Sequence, residues 1–324
     1  MLIRIFRSGY IIKIFMFLII SLLLWIPAFL NPPPIVTEST FGIGYDVIMS
    51  KLFLSARLTT FIAFALLLIQ AMVFNALLVN NPFFSKSVFL PALVYVILMS
   101  HHPAQLTLHP ALIANFFLIF SLKNLYNTYD KKEALREAFN TSFWVSLASL
   151  FYLPAIFMML LVWWAFLIFR INSWREWVIS VIGATTPYLL LLTGCYLTDH
   201  IDFLTTFYPD NISWIWADLS ITQHDYVFWP AYILLILVAF YKFSVERNDK
   251  IISVRKGFAV INAALVLSAL TLLISGSDPH QHAYLLFPAS AAIIAYYFIE
   301  TKKRIIAEIL FLLLLIAIGV AKFI

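Results

Sequence analysis

Long apolar segments separated by short polar breaks recur along the chain from residue 11 to residue 322. A membrane-spanning helix needs about 20 mostly apolar residues, and continuous apolar runs predict helices rather than the alternating strands of a barrel. The third, fourth and fifth predicted spans are short, as half-length or strongly mismatched helices would be. We predict eleven spans, near residues 11–30, 58–79, 86–100, 109–123, 139–153, 155–171, 179–197, 227–244, 257–275, 283–299 and 305–322.

The composition supports a membrane protein. Hydrophobic residues make up 63% of the chain and charged residues 11%, whereas a soluble domain has about 45–50% apolar and about 25% charged residues. A chain this apolar has too few polar side chains to cover a surface exposed to water. We therefore predict an all-α fold, a single polytopic transmembrane helix bundle of about 11 spans that occupies residues 1–324.

Pro154 separates the fifth and sixth predicted spans. Proline interrupts the hydrogen bonds of a helix, so a tight turn is expected here, and one long kinked helix is the alternative. With the turn and a cytoplasmic N-terminus, all 21 lysine and arginine residues except Lys51, Arg57 and Lys322 fall on the inner side. This bias follows the positive-inside rule and predicts a cytoplasmic N-terminus and an external C-terminus.

The net charge of +5 is explained by these inner loops, because the basic residues follow the topology and form no patch for nucleic acid. We therefore predict no nucleic-acid partner. The single cysteine, Cys195, excludes an internal disulfide and a cysteine metal cluster. The basic N-terminus precedes an apolar run of about 20 residues and three prolines, which favours an uncleaved first span over a signal peptide.

All seven histidines fall on the predicted outer side, three of them in the segment SHHPAQLTLHP at residues 100–110. Titratable groups collected at one membrane face favour catalysis or ligand binding; the alternative is the solvated tip of a helical hairpin. His101, His102 and His109 are candidate contacts to a substrate. Their spacing matches no known metal motif, so we predict no cofactor, with a divalent metal at the outer histidines and aspartates as the alternative.

The segment TESTFGIGYDVIMSKLFLSAR (37–57) follows the first predicted span. Its apolar residues predict a short helix on the membrane surface. Glu38 and Asp46 would then lie near the outer interface, with Lys51 and Arg57 close by. These four residues are either acids and phosphate-binding cations at a lipid-phosphate site or a covered loop with snorkelling cations. Within the spans, Gln70 and other amides, Asn75, Asn115 and Asn262, are expected to join helices.

Three stretches, ANFFLIFSLKNLY (114–126), FNTSFWVSLASLFYLPAIFMML (139–160) and FRINSWREWVISVIGATTPYLL (169–190), resemble an uncharacterised family of polytopic inner-membrane proteins of Bacteroidetes. The resemblance runs over most of the chain and is firm in these central stretches. It implies a multi-pass protein of a bacterial inner (cytoplasmic) membrane and does not imply an activity.

The stretch SLASLFYLPAIFMMLLVWW (146–164) has a helix rich in small residues followed by an apolar helix. With the surface helix, the short third and fourth spans and the outer acids, it resembles the C-type lipid-linked membrane glycosyltransferases. That resemblance implies Glu38 or Asp46 as a general base and Lys51 and Arg57 as phosphate ligands. The three histidines of SHHPAQLTLHP would contact the donor or the acceptor.

Three functions fit these observations. The first is a non-catalytic scaffold or envelope-assembly subunit whose acidic, histidine-rich outer surface binds an envelope protein partner. The second is a C-type-like glycosyltransferase, or a degenerate relative, that uses a polyprenyl-phosphate-linked donor at the outer face. The third is a transporter or flippase for an amphiphile, although the spans carry no ionisable residue near their middle, where ion-coupled transporters usually place one. In each case the lipid bilayer is a partner.

Overall fold

The computed structural model describes most of the chain. The described residues are 12–35, 42–52, 55–81, 88–103, 106–131, 133–199, 213–214, 223–246, 250–272, 274–275, 279–301 and 303–323. The helices within them are α1 (Ile12–Leu30), α2 (Ile43–Leu52), α3 (Ala56–Asn80), α4 (Leu90–Met99), α5 (Pro110–Asn127), α6 (Leu135–Phe151), α7 (Met158–Phe169), α8 (Trp174–Leu197), α9 (Gln223–Glu246), α10 (Ile252–Thr271), α11 (Pro279–Glu300) and α12 (Arg304–Phe323). A 3₁₀ helix covers Leu153–Phe157, and strand β1 (Ser213–Trp214) pairs antiparallel with β2 (Ile274–Ser275).

Each of the eleven predicted spans overlaps one of these helices, and α2 coincides with the predicted surface helix. Six helices among the described residues, α1, α3, α8, α9, α10 and α11, are long and apolar enough to cross a membrane. The prediction of a helical, multi-pass membrane protein is therefore confirmed. The count of eleven crossings and the orientation of the termini stay predictions.

Helix α4 is a half-length helix in the interior. Its ten residues span about 15 Å, about half of a hydrocarbon core that is roughly 30 Å thick. All ten residues are buried, and Tyr95 at its middle is 0% exposed. A segment of this length and burial is surrounded by protein, so α4 belongs to the core and contributes little surface to the lipid.

The chain reverses direction at Pro154. Helix α6 ends at Phe151, and Tyr152 adopts an extended backbone with φ −147° and ψ 99°. At the far end of α7, the ring of Phe169 lies 5.5 Å from that of Tyr129, which precedes α6. Helix α7 therefore returns to the level at which α6 began. The predicted turn is confirmed and the single kinked helix is wrong, because proline cannot continue the helical hydrogen bonds.

Contacts between helix ends sort into the two sides that the topology predicts. At one end, the Tyr126 hydroxyl donates to the Gly257 carbonyl at 3.3 Å. At the other end, Nε1 of Trp25 donates to the Ser100 hydroxyl at 2.9 Å. We name the end with Gly257 the inner end and the end with Ser100 the outer end, following the predicted orientation.

Helices α6 and α8 run parallel along their shared length. The backbone N–H of Ala134, just before α6, donates to the Glu176 carboxylate in the first turn of α8 at 3.4 Å. Near the other end of α6, the Ser149 and Tyr188 hydroxyls share a hydrogen bond of 2.7 Å. Inside a membrane, apolar side chains contact lipid as favourably as they contact protein, so hydrogen bonds of this kind help to hold helices together.

Candidate functional site

The SHHPAQLTLHP segment connects α4 to α5 inside the bundle; its residues 104 and 105 lie outside the described part. His101, His102 and His109 are 2%, 8% and 1% exposed. The alternative of a solvated hairpin tip is therefore wrong for these three histidines, and they do not contribute to an exposed outer surface. They are covered because α4 is short and its neighbours extend further toward the outer end. His101 packs against the sixth residues of α9 and α11, about 8 Å below the first residue of each helix.

His101 lies among aromatic side chains supplied by α9 and α11. The centroid of its ring is separated by 4.5 Å from that of Phe228, 5.0 Å from Phe287, 5.7 Å from Tyr284 and 6.2 Å from Trp229. Such ring pairs contribute about 0.5–1.5 kcal/mol each beyond the burial of their area. His101 therefore acts as a core residue that ties the end of α4 to two other helices.

The ring nitrogens of two histidines have roles fixed by their backbone partners. Nδ1 of His101 lies 3.1 Å from the Leu98 carbonyl, which can only accept, so Nδ1 carries the proton. His109 is the N-cap of α5, and its Nδ1 accepts from the backbone N–H of Leu112 at 3.2 Å. Its proton is then on Nε2. Both rings therefore bond to helix ends, and their contact with a substrate stays a prediction.

Helix α2 lies on the histidine segment. Tyr45, which is 0% exposed, donates its hydroxyl proton to the Leu108 carbonyl at 3.0 Å. Burial, with a smaller contribution from the charge of Asp46, raises the pKa of Tyr45 and keeps it a donor. At Gly42, a Cβ atom would collide with the carbonyl oxygen of Phe151, so only glycine allows α2 to approach the end of α6 so closely.

The four predicted charged residues of this region are only partly brought together. Asp46 is partly buried in the first turn of α2, where the helix dipole favours a carboxylate. Arg57 is exposed in the first turn of α3. Lys51 lies in α2, but its side chain is outside the described residues, as is all of Glu38. The structure therefore joins α2 to the histidine segment without showing a complete acid and cation pair.

No group of three or more His, Cys, Asp or Glu side chains suitable for a metal ion occurs among the described residues. His224, His280 and His282 lie in the first turns of α9 and α11, and their side chains are outside the described part. The divalent-metal alternative thus has no ligand set in the part of the chain that the structure describes, and it stays an untested prediction.

Two of the span amides join helices, as predicted. Gln70 of α3 accepts from the Tyr95 hydroxyl at 2.7 Å and donates to the Leu112 carbonyl at 2.8 Å. Nδ2 of Asn115 donates to the Tyr284 carbonyl at 2.8 Å. The aromatic partners of His101 were missed by the sequence reasoning. No pattern in the sequence pairs α4 with α9 and α11, which follow it by more than a hundred residues.

The comparisons with known proteins returned no relatives. No protein-family model matches the chain, no curated protein is similar to it, and no solved structure matches its fold. Function is therefore inferred from the packing and the site alone.

Proposed function

We propose that the protein is a non-catalytic scaffold subunit of a bacterial inner membrane that takes part in assembly of the cell envelope. The observation that carries this proposal is the burial of His101 and His109 as packing and capping residues of the core. A catalytic site must offer its acids, bases and nucleophiles to a substrate, and these two rings instead contact neighbouring helices.

The density of the interior supports the same function. The described core buries several large side chains completely, and half-length α4 fills the space between α3 and α11 with ten buried residues. Amide and hydroxyl groups inside it, such as those of Gln70 and Tyr95, bond to one another. A bundle filled in this way is suited to holding a fixed shape for a partner.

A transferase is the second candidate, and one contact favours it. The Tyr45 hydrogen bond to Leu108 brings α2, and with it Asp46, against the histidine segment. In that function Asp46 or Glu38 would remove a proton from the acceptor hydroxyl, and Arg57 would bind the phosphate of a polyprenyl-phosphate-linked donor.

Complementation of a strain that lacks the gene separates the two functions. The variants are Arg57→Gln and the double variant Glu38→Gln with Asp46→Asn, which keep side-chain size and remove the charges. A scaffold predicts that both variants reach normal protein levels and restore the polysaccharide profile and detergent resistance. Loss of complementation by the double variant at a normal protein level would overturn the scaffold and support the transferase. Tyr45→Ala serves as a control for mispacking, because it lowers protein level under either function.

A further inference from the structure

Helices α9 and α12 border an open groove on the side of α9 that faces away from His101. The groove has a volume of about 610 Å³, and all of the side chains that line it are apolar. Val227, Ala231 and Leu234 of α9 lie on one wall, and Ile309 and Ala317 of α12 lie on the other. A volume between about 300 and 1,000 Å³ is typical of ligand pockets, so the groove is large enough for part of a lipid.

The groove begins near the outer end of the bundle and reaches the middle of the bilayer, because its α12 wall runs from the sixth to the fourteenth of 20 residues. Along α9 it runs from the fifth to the twelfth of 24 residues, which places it about 6–17 Å from the outer end of that helix. Half of the hydrocarbon core is roughly 15 Å thick. Tyr226, one residue before the groove begins, is 68% exposed, as expected of an aromatic ring at the headgroup level.

The shape of the groove follows from where α12 is anchored. The Phe311 ring of α12 lies 5.6 Å from the Phe298 ring of α11, with an interplanar angle of 90°. Ala231 and Ala317 project only methyl groups into the space between α9 and α12. Small side chains on both walls leave a gap, and the exposed side chains of Leu312 and Ile316 line it on the α12 side.

We propose that this groove holds one acyl chain of a phospholipid from the leaflet at the outer end of the bundle. The lining has no charged or polar side chain, which complements a hydrocarbon chain and excludes a headgroup. Its length of about 10–12 Å, from Val227 to Leu234 and from Ile309 to Ala317, fits within a single leaflet. The inference is independent of the scaffold function, since it rests only on the groove.

Native mass spectrometry of the full chain purified in a mild detergent tests the proposal. We expect the unmodified protein to retain one phospholipid that Ala231→Phe loses, because the larger side chain fills the groove. Leu190→Phe on α8, where the side chain is 63% exposed, is the matched control and keeps the lipid. A second filling variant, Ala317→Phe, gives the same test if Ala231→Phe does not fold.

Added palmitoyl-oleoyl phosphatidylethanolamine provides a second readout. A ligand that binds the native state raises its stability, so we expect the Tm of the unmodified protein and of Leu190→Phe to rise by about 3 °C or more. The Tm of Ala231→Phe should not respond. Equal lipid retention and equal Tm shifts in the unmodified and filled proteins would overturn the proposal. The proposal would also be overturned if the groove were occupied by polyprenyl phosphate or by a second copy of the chain.

Discussion

The two sides of α9 are packed in different ways, although both are apolar. On one side, Phe228 and Tyr232 are 1% and 3% exposed, and the Phe228 ring packs against that of His101 at an interplanar angle of 31°. On the other side, Leu234 is 50% exposed and lines the groove. In lipid, apolar side chains gain little from choosing protein over bilayer. The two sides therefore differ in their neighbours: one packs on the ring of His101 and the aromatic residues around it, and the other borders the open groove.

The largest expected effect comes from removing the ring of His101, which packs on the core-facing side of α9. His101→Ala should destabilise the protein by about 3 kcal/mol, because truncating a buried ring leaves a cavity between α4, α9 and α11. Thermal unfolding in detergent measures the loss. His101→Phe keeps the ring volume and should cost about 1 kcal/mol. Equal losses in the two variants would show that ring packing does not hold these helices together.

A smaller effect is expected from the hydrogen bond between α3 and α4. Tyr95→Phe removes the donor to Gln70 and leaves that amide oxygen without its 2.7 Å bond in a fully buried position. The expected cost is about 1.5 kcal/mol, near the upper end for a single bond between membrane helices. Chemical unfolding monitors the change, with Tyr226→Phe on the exposed side of α9 as the matched control. A null effect of Tyr95→Phe would mean that the amide finds another donor.

A still smaller effect is expected from the contact between α2 and the histidine segment. Tyr45→Phe removes the hydrogen bond to Leu108 and should cost about 1 kcal/mol. The loss should be local, so hydrogen exchange should accelerate in residues 43–52 and not in α4. If exchange rises equally in both helices, the contact supports the whole outer end and not α2 alone.

The sequence predicts where helices form better than it predicts which helices pack against one another. Apolar length located helices that overlap the eleven predicted spans, and Pro154 located the reversal between α6 and α7, because both depend on the local chain. The burial of His101 could not be predicted in this way. It depends on α9 and α11, which are distant in sequence, and on the shortness of α4, which leaves its end below the ends of its neighbours. The distribution of lysine and arginine, for the same reason, predicts on which side of the membrane a loop lies, but it does not predict how deeply a residue such as His101 is buried.

Two adjacent leucines of α9 provide the finest test of its two sides. Leu235 is 1% exposed and faces the core, whereas Leu234 is 50% exposed and lines the groove. Leu235→Ala should cost about 2 kcal/mol, the lower end of the range for buried leucines. Leu234→Ala should cost under about 0.5 kcal/mol, since lipid takes the place of the removed methyl groups. Both variants have the same helix propensity, so a difference in their free energies of unfolding isolates packing. If the two costs were equal, protein rather than lipid would cover the groove side of α9.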